Sequence, residues 1–255
     1  MAAAGLIAAS LACGGGAQRG TAPAGPPAAL PTAPGPLAAR LSSDDETLRH
    51  AIRGLRAADR PTAEGMRSAR EVQRAVATLA RRRKLEGATI RRLSPPLARE
   101  IRALTAARRD LERLSVRSPP HRLLTGPPDP LGALLRYYRA AQRRFGIRWQ
   151  VLAAINFVES AFGRVRSRSV AGAEGPMQFL PAMWRAYGLG GNVRDPHDAI
   201  LGAANLLRHD GAPASYRRAL NSYNPSPAYV DAVGRYARVI AIDRAAIYLL
   251  YSWRP

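Results

Sequence analysis

Proline placement decides how this chain can be organised. The prolines come in blocks: Pro23, Pro26, Pro27, Pro31, Pro34 and Pro36, then Pro95-Pro96, then Pro119-Pro120, then Gly126-Pro127-Pro128-Asp129-Pro130. Proline has no N–H to donate and clashes with the preceding helical turn, so each block marks a boundary. Between the blocks the chain is rich in Ala, Leu and Arg, and aromatics make up only 6%. That composition favours helices over sheets, so the predicted fold class is mainly α. The expected organisation is an extended, semi-stiff spacer over 14–40, a basic helical region over 43–115 and a Pro-rich linker over 116–130. A helical domain over 131–245 follows, long enough to bury its own core.

The formal net charge is +21. It is spread over both halves: 17 arginines against seven acids from Leu131 onwards leave +10, and +11 remains for residues 1–130. Such a surface attracts polyanions, including those of a cell wall. Lys84 is the only lysine, so a bias of the genome towards arginine accounts for the charge equally well. No aromatic-interleaved basic stretch or DNA-reading motif is present, and no nucleic-acid partner is expected. The histidines His50, His121, His197 and His209 form no paired ligand spacing, and Cys13 is the only cysteine. Neither a metal site, a cofactor nor an internal disulfide is therefore expected.

Residues 2–12 are small and apolar, too short a run to span a bilayer as a helix but suited to a signal-peptide core. Ser10-Leu11-Ala12-Cys13 resembles the lipobox of bacterial lipoproteins. That resemblance implies export to the cell envelope and membrane anchoring through a lipidated Cys13, although no Lys or Arg precedes the apolar run. In the 43–115 region, Ser43-Asp44-Asp45-Glu46 reads as a helix N-cap with acids in the first turn. Leu48, Ile52 and Leu55, then Val72, Val76 and Leu79, then Ile101 and Leu104 recur at helical spacing, interrupted at Gly87 and Pro95-Pro96. Two or three helices are expected, a hairpin packed on itself or on the next domain, with a structural spacer as the favoured role and a wall-binding arm or partner-binding surface as the alternatives.

From Leu131 the apolar pattern becomes denser. One helix is predicted over Leu131–Phe145, ended at Gly146, and a second from about Trp149 to Phe162. On the second, Leu152, Ile155 and Phe162 form a stripe with Val151 and Val158 alongside. Glu159 falls four residues after Ile155, on the apolar side near the helix C-terminus. Burial and the negative end of the helix dipole both disfavour a carboxylate there, and so both favour the protonated form that a general acid needs.

Three blocks follow in order: Glu159-Ser160; Ser169-Val170-Ala171-Gly172-Ala173-Glu174-Gly175-Pro176-Met177-Gln178-Phe179; and Asn221-Ser222-Tyr223-Asn224-Pro225. Together they resemble the lytic transglycosylases of the goose-type-lysozyme-like superfamily, over roughly Leu131–Ile240. The resemblance implies a lysozyme-like (SLT) helical domain that cleaves peptidoglycan glycan strands, with Glu159 as the single catalytic acid/base. It also implies substrate-side roles for Ser160, Ser169, Gly175, Met177, Gln178, Phe179, Tyr223 and Asn224, with the Tyr223 phenol facing Glu159. Pro225 departs from the Ala-Gly that follows Tyr-Asn in the family.

Most glycosidases use two carboxylates. Glu159 is the only acid between Leu131 and Ala173. Asp195 and Asp198, around Pro196, look like turn and helix-cap chemistry, which leaves Glu174 as the candidate second acid. With one carboxylate, the expected reaction breaks the MurNAc–GlcNAc β-1,4 bond and closes a 1,6-anhydro ring on the muramoyl sugar. A hydrolytic muramidase and a non-catalytic wall-binding lipoprotein stay open at this point.

Overall fold

A computed structural model of the chain describes residues 29–55, 61–115 and 124–253. Cys13 and residues 14–28 of the expected spacer lie outside them. The described residues are helical, with no strand beyond isolated bridges. The helices are α1 Pro34–Ile52, α2 Ala63–Arg81, α3 Arg83–Ile90, α4 Pro95–Ser115, α5 Leu131–Phe145, α6 Trp149–Ser160, α7 Pro181–Tyr187, α8 Pro196–His209, α9 Tyr216–Tyr223, α10 Pro227–Ile242 and α11 Ala245–Tyr251. None of the described helices is long and apolar enough to cross a membrane.

Helix α6 is the centre of the molecule, with every residue from Val151 to Ser160 buried. A helix apolar on all sides belongs inside a core, so the single stripe expected from the sequence understates its burial. It packs against α5, α8, α10 and α11. Helix α5 ends as expected at Gly146, whose left-handed φ of 71° closes the helix and whose N–H donates to the Gln142 carbonyl. Helix α8 starts at Asp195, whose carboxylate accepts from the backbone N–H of His197 and Asp198. That is the cap chemistry expected of this stretch.

The N-terminal helices differ from expectation in two ways. The first helix starts at Pro34 within the presumed spacer, not at Ser43. Pro34 supplies the fixed φ of a first helical position, and Leu37, Leu41, Leu48 and Ile52 form the buried stripe. Asp44 and Asp45 are not first-turn acids: they lie mid-helix and pair with Arg40 and Arg49, each at 2.7 Å.

The second difference is the count: four helices, not two or three, precede Leu131 among the described residues. Of the arrangements open from sequence, they take the one packed directly on the C-terminal domain. Helix α10 packs against both α6 and α4, while α11 packs against α2. Ile101, Leu104 and Leu111 of α4 are buried at 0%, 3% and 0% exposure. Polar fasteners reinforce the contact: Arg235 meets Asp110 at 3.0 Å, Arg49 bonds Asp243, and Gln73 donates to the Leu249 carbonyl. Nor does the packed unit stop at residue 245. All of α11 is buried, and Trp253 beyond it meets Phe157 of α6 edge-on at 6.2 Å.

Candidate active site

The C-terminus of α6 breaks abruptly. Ala161, Phe162 and Gly163 have φ of 50°, 62° and 80°, three successive left-handed residues. A residue with a Cβ rarely adopts this conformation, and such strain is held only where packing over-determines it. Phe162 is fully buried against Phe157 and Tyr251, which supplies that packing. The break leaves Glu159 and Ser160 on the last helical turn, with Ser160 facing a loop that runs from Glu174 to Phe179.

That loop is a tight turn closed by two backbone hydrogen bonds, Glu174 N–H to Phe179 O and Phe179 N–H to Glu174 O, both 3.0 Å. At its first bend Gly175 has φ 79°, and a Cβ there would lie 1.9 Å from the Val193 carbonyl oxygen. Only glycine fits. Gln178 is also left-handed, at φ 50°, and its amide nitrogen donates to the Gly175 carbonyl at 2.9 Å.

Helix α6 holds this loop through one carbonyl. Pro176 O accepts from Ser160 Oγ at 2.7 Å and from Asn156 Nδ2 at 2.8 Å. Asn156 is oriented in turn by Tyr138, whose hydroxyl donates to Asn156 Oδ1. On the other side, the Tyr223 hydroxyl donates to the Met177 carbonyl at 2.6 Å.

Glu159 is 2% exposed. Burial pushes its carboxyl up to about 8, opposed only by the neighbouring Tyr229 phenol. The phenol faces the carboxyl, yet the pair falls short of a well-aligned hydrogen bond: Glu159 Oε2 and Tyr229 Oη are both buried without a partner. No acid or base contributes to the shift. The phenols of Tyr223 and Tyr229 are pushed well above the ordinary range, mainly by burial and then by the Glu159 charge. Their rings stack nearly parallel, 6.3 Å apart and 6° from coplanar.

A third orphan is Gln178 Oε1, also buried with no partner. Buried polar atoms without partners are rare in folded proteins. Here Glu159, Tyr229 and Gln178 each keep one such atom buried without a partner.

Several residues expected at the substrate hold the loop or fill the core. Ser160 is fully buried, and its hydroxyl is occupied by Pro176 and by the Gly163 N–H at 2.9 Å, so it positions the loop. Ser169 closes the turn ahead of the loop, its Oγ accepting from Ala173 N–H at 3.0 Å. Met177 and Phe179 are core residues at 0% and 2% exposure, and the Phe179 ring packs on Trp184 and Tyr223. Asn224 is buried as the C-cap of α9. Gly175 is required by the Val193 carbonyl. Arg164 lies over the Tyr251 ring and donates to that residue's carbonyl.

Tyr229 was not singled out from sequence. Six residues past Tyr223, it reads as one more apolar position of α10, and only the turn at Pro225–Pro227 brings its phenol back to Glu159. Asp195, His197 and Asp198 bring ligand atoms within 4.8 Å of one another. Their carboxylates are occupied by helix-cap and loop N–H groups.

Glu174, the second-carboxylate candidate, turns away into a different setting. Its Oε2 is bound by Arg168 at 3.2 Å and by Arg194 at 2.9 Å. It does not contribute to the shift at Glu159.

Residues 136–243 match the family model of the transglycosylase SLT domain. No curated protein and no solved structure matches the chain.

Proposed function

We propose that this chain, whose residues 136–243 match the family model of the transglycosylase SLT domain, acts on peptidoglycan and cleaves the MurNAc–GlcNAc β-1,4 bond with Glu159 as its one acid/base. The observation that carries this reading is the environment of Glu159. Its carboxyl is buried, raised to about 8 by desolvation, and shifted by no second carboxylate.

A carboxyl protonated near neutral pH can give its proton to the glycosidic oxygen. The departing bond leaves positive charge on the muramoyl C1. The carboxylate so formed can take the proton of that sugar's C6 hydroxyl, whose oxygen closes onto C1. One proton is lent and returned, and no water is consumed. The Tyr229 phenol, beside the carboxyl, can donate to it while it is ionised. Gln178 Oε1 offers an acceptor to an amide or hydroxyl of the sugar. A hydrolytic mechanism would use a second carboxylate to activate water or attack C1, and Glu174 is committed to two arginines instead.

The test is mass spectrometry of digested sacculi. Anhydro-muramoyl ends support the reading, and reducing ends one water heavier overturn it in favour of hydrolysis. Glu159→Gln is expected to lower turnover at least a hundredfold. Retained activity in that variant would remove Glu159 from the role.

The lipobox-like Ser10-Leu11-Ala12-Cys13 supports a further part of the proposal, that the enzyme is exported and anchored by a lipid on Cys13. Incorporation of labelled fatty acid that is lost in Cys13→Ser is the expected result. The basic surface would then add salt-sensitive attraction to wall polyanions.

A further inference from the structure

One guanidinium joins three carboxylates where the N-terminal helices meet the C-terminal domain. Arg49 on α1 pairs with Asp45 of its own helix at 2.7 Å, with Glu100 on α4 at 3.1 Å and with Asp243, which caps the end of α10. Two of the acids stand on the N-terminal side of the joint and one on the other side. A lock built only to hold would match its charges one to one. Arg49 is permanently charged, and here three carboxyl groups share it.

The three acids are not held alike. Asp45 and Asp243 take the Nε and one terminal nitrogen of Arg49, and Asp243 also accepts from the Ala245 N–H at 2.7 Å. Glu100 has the longest of the three contacts and the least exposed side chain, at 11%. Burial, and then the charges of Asp45 and Asp243, push its carboxyl up to about 7 against the pull of Arg49. Its charge therefore changes near neutral pH.

A groove of about 380 Å³ opens over the cluster, walled by Pro96, Leu97, Ala103, Val239 and Ile242. It gives protons and water a route to Glu100. Arg99 of α4 and Arg238 of α10, both exposed, are the remaining charged residues of its lining. Once Glu100 ionises, one shared cation holds three anions across the joint. Like charges on one site repel, and the repulsion is relieved when the Glu100 side and the Asp243 side part and hydrate. Helix α10 packs on α6 as well as on α4, so the joint adjoins the helix of Glu159.

We propose that this cluster is a pH-sensitive latch between the N-terminal helices and the C-terminal domain, closed while Glu100 carries its proton and loosened when the proton is lost. The latch is independent of the reaction at Glu159. Its sign follows from linkage. A carboxyl raised from 4.5 to about 7 in the closed form favours closing fully below 4.5, and that contribution is lost as pH rises through about 7.

The test is hydrogen exchange at pH 6 and pH 8, read by mass spectrometry and corrected for the intrinsic effect of pH. The full chain carries Glu159→Gln, so that the buried acid of the site does not titrate. Peptides from α4 and from the C-terminal end of α10 are expected to open roughly tenfold more readily at the higher pH. Those from α5 and α8, which pack on each other and on α6, keep their protection. Adding Glu100→Gln removes the difference. Adding Asp243→Asn, which takes away the like charge across the joint, shrinks it.

No difference between the two pH values, a difference that survives Glu100→Gln, or an equal loss in α5 and α8 overturns the latch. Should Glu100→Gln fail to fold, Asp243→Asn decides alone: a smaller difference supports the proposal and an undiminished one overturns it.

Discussion

Ser160 Oγ donates to the carbonyl of Pro176 at 2.7 Å, and this one bond ties the helix that carries Glu159 to the loop that carries Gln178. The same oxygen accepts from Gly163 N–H at 2.9 Å and from Asn156 Nδ2 at 3.2 Å, so it is shared between the helix end, the left-handed break and the loop. A hydroxyl fits here because it can donate once and accept twice.

Ser160→Ala leaves the Gly163 N–H unpartnered and Pro176 O with Asn156 alone. The expected cost is about 1–3 kcal/mol in denaturant unfolding. Turnover should fall more than substrate affinity, because the loop loses its register against Glu159 while the cleft persists. Wild-type unfolding together with wild-type turnover in this variant would show that the loop is held by other means.

Glu159→Gln should change the pH dependence of stability in a definite sense. The carboxyl sits at about 8 in the folded chain, against an ordinary 4.5. Between those values the folded state keeps a proton that the unfolded state has lost. The contribution of the group is thus fully present below about 4.5, declines as pH rises through the window and levels off above about 8. At about 1.4 kcal/mol per unit, the window amounts to several kcal/mol. Melting curves from pH 5 to 9 should slope downwards for the wild type and much less for the variant. Activity should fall over the same upper limb as the acid loses its proton. A wild-type slope equal to that of the variant would place the carboxyl pKa near its ordinary value.

Gly175 and Gly172 make a paired test of the loop. Both are left-handed, at φ 79° and 81°. A Cβ at Gly175 meets the Val193 carbonyl at 1.9 Å, whereas at Gly172 it meets nothing within 4 Å. Gly172→Ala therefore carries backbone strain alone, about 1–2 kcal/mol. Gly175→Ala adds a clash with backbone that cannot rotate aside, and should cost at least twice as much and abolish activity with it. Equal melting temperatures for the two variants would contradict the close approach to Val193.

The C-terminal half was legible because its signals are local. Glu159-Ser160, the Gly-rich block and Tyr223-Asn224 each carry their pattern within a few residues, and Gly146 and Asp195 end and start helices by chemistry visible in sequence. What those residues touch was less legible. Ser160 sits in the right block but faces inward, because α6 is buried on every side and a stripe argument has no outward face to detect; Met177 and Phe179 face inward from a turn, bent at Gly175 and Gln178, that no helical period reveals. Tyr229 was missed since its approach to Glu159 depends on the turn through Pro225 and Pro227. The start of the helix at Pro34 was missed because proline and alanine read as spacer, while Leu37 and Leu41 needed the facing α2 before they became a core.

The same limit hid the role of the N-terminal helices, and it yields the last prediction. A chain beginning at Leu124 retains all of residues 136–243 but loses α4 and α2, which cover α10 and α11. That bares Val239, Tyr236 and Leu249, at 4%, 4% and 2% exposure in the full chain. It also removes Asp110, the partner of Arg235, and Gln73, the partner of Leu249 and Ser252. Trp253 packs on Phe157, so loosening α11 reaches the helix of Glu159 directly. The shortened chain should show weakened near-UV circular dichroism, a broad melt and little activity. Leu111→Ala in the full chain tests the same contact without truncation, since a buried leucine truncated to alanine costs about 2–5 kcal/mol. A sharp melt and full activity from the shortened chain would show that the domain stands alone and that the N-terminal helices are an attachment to it.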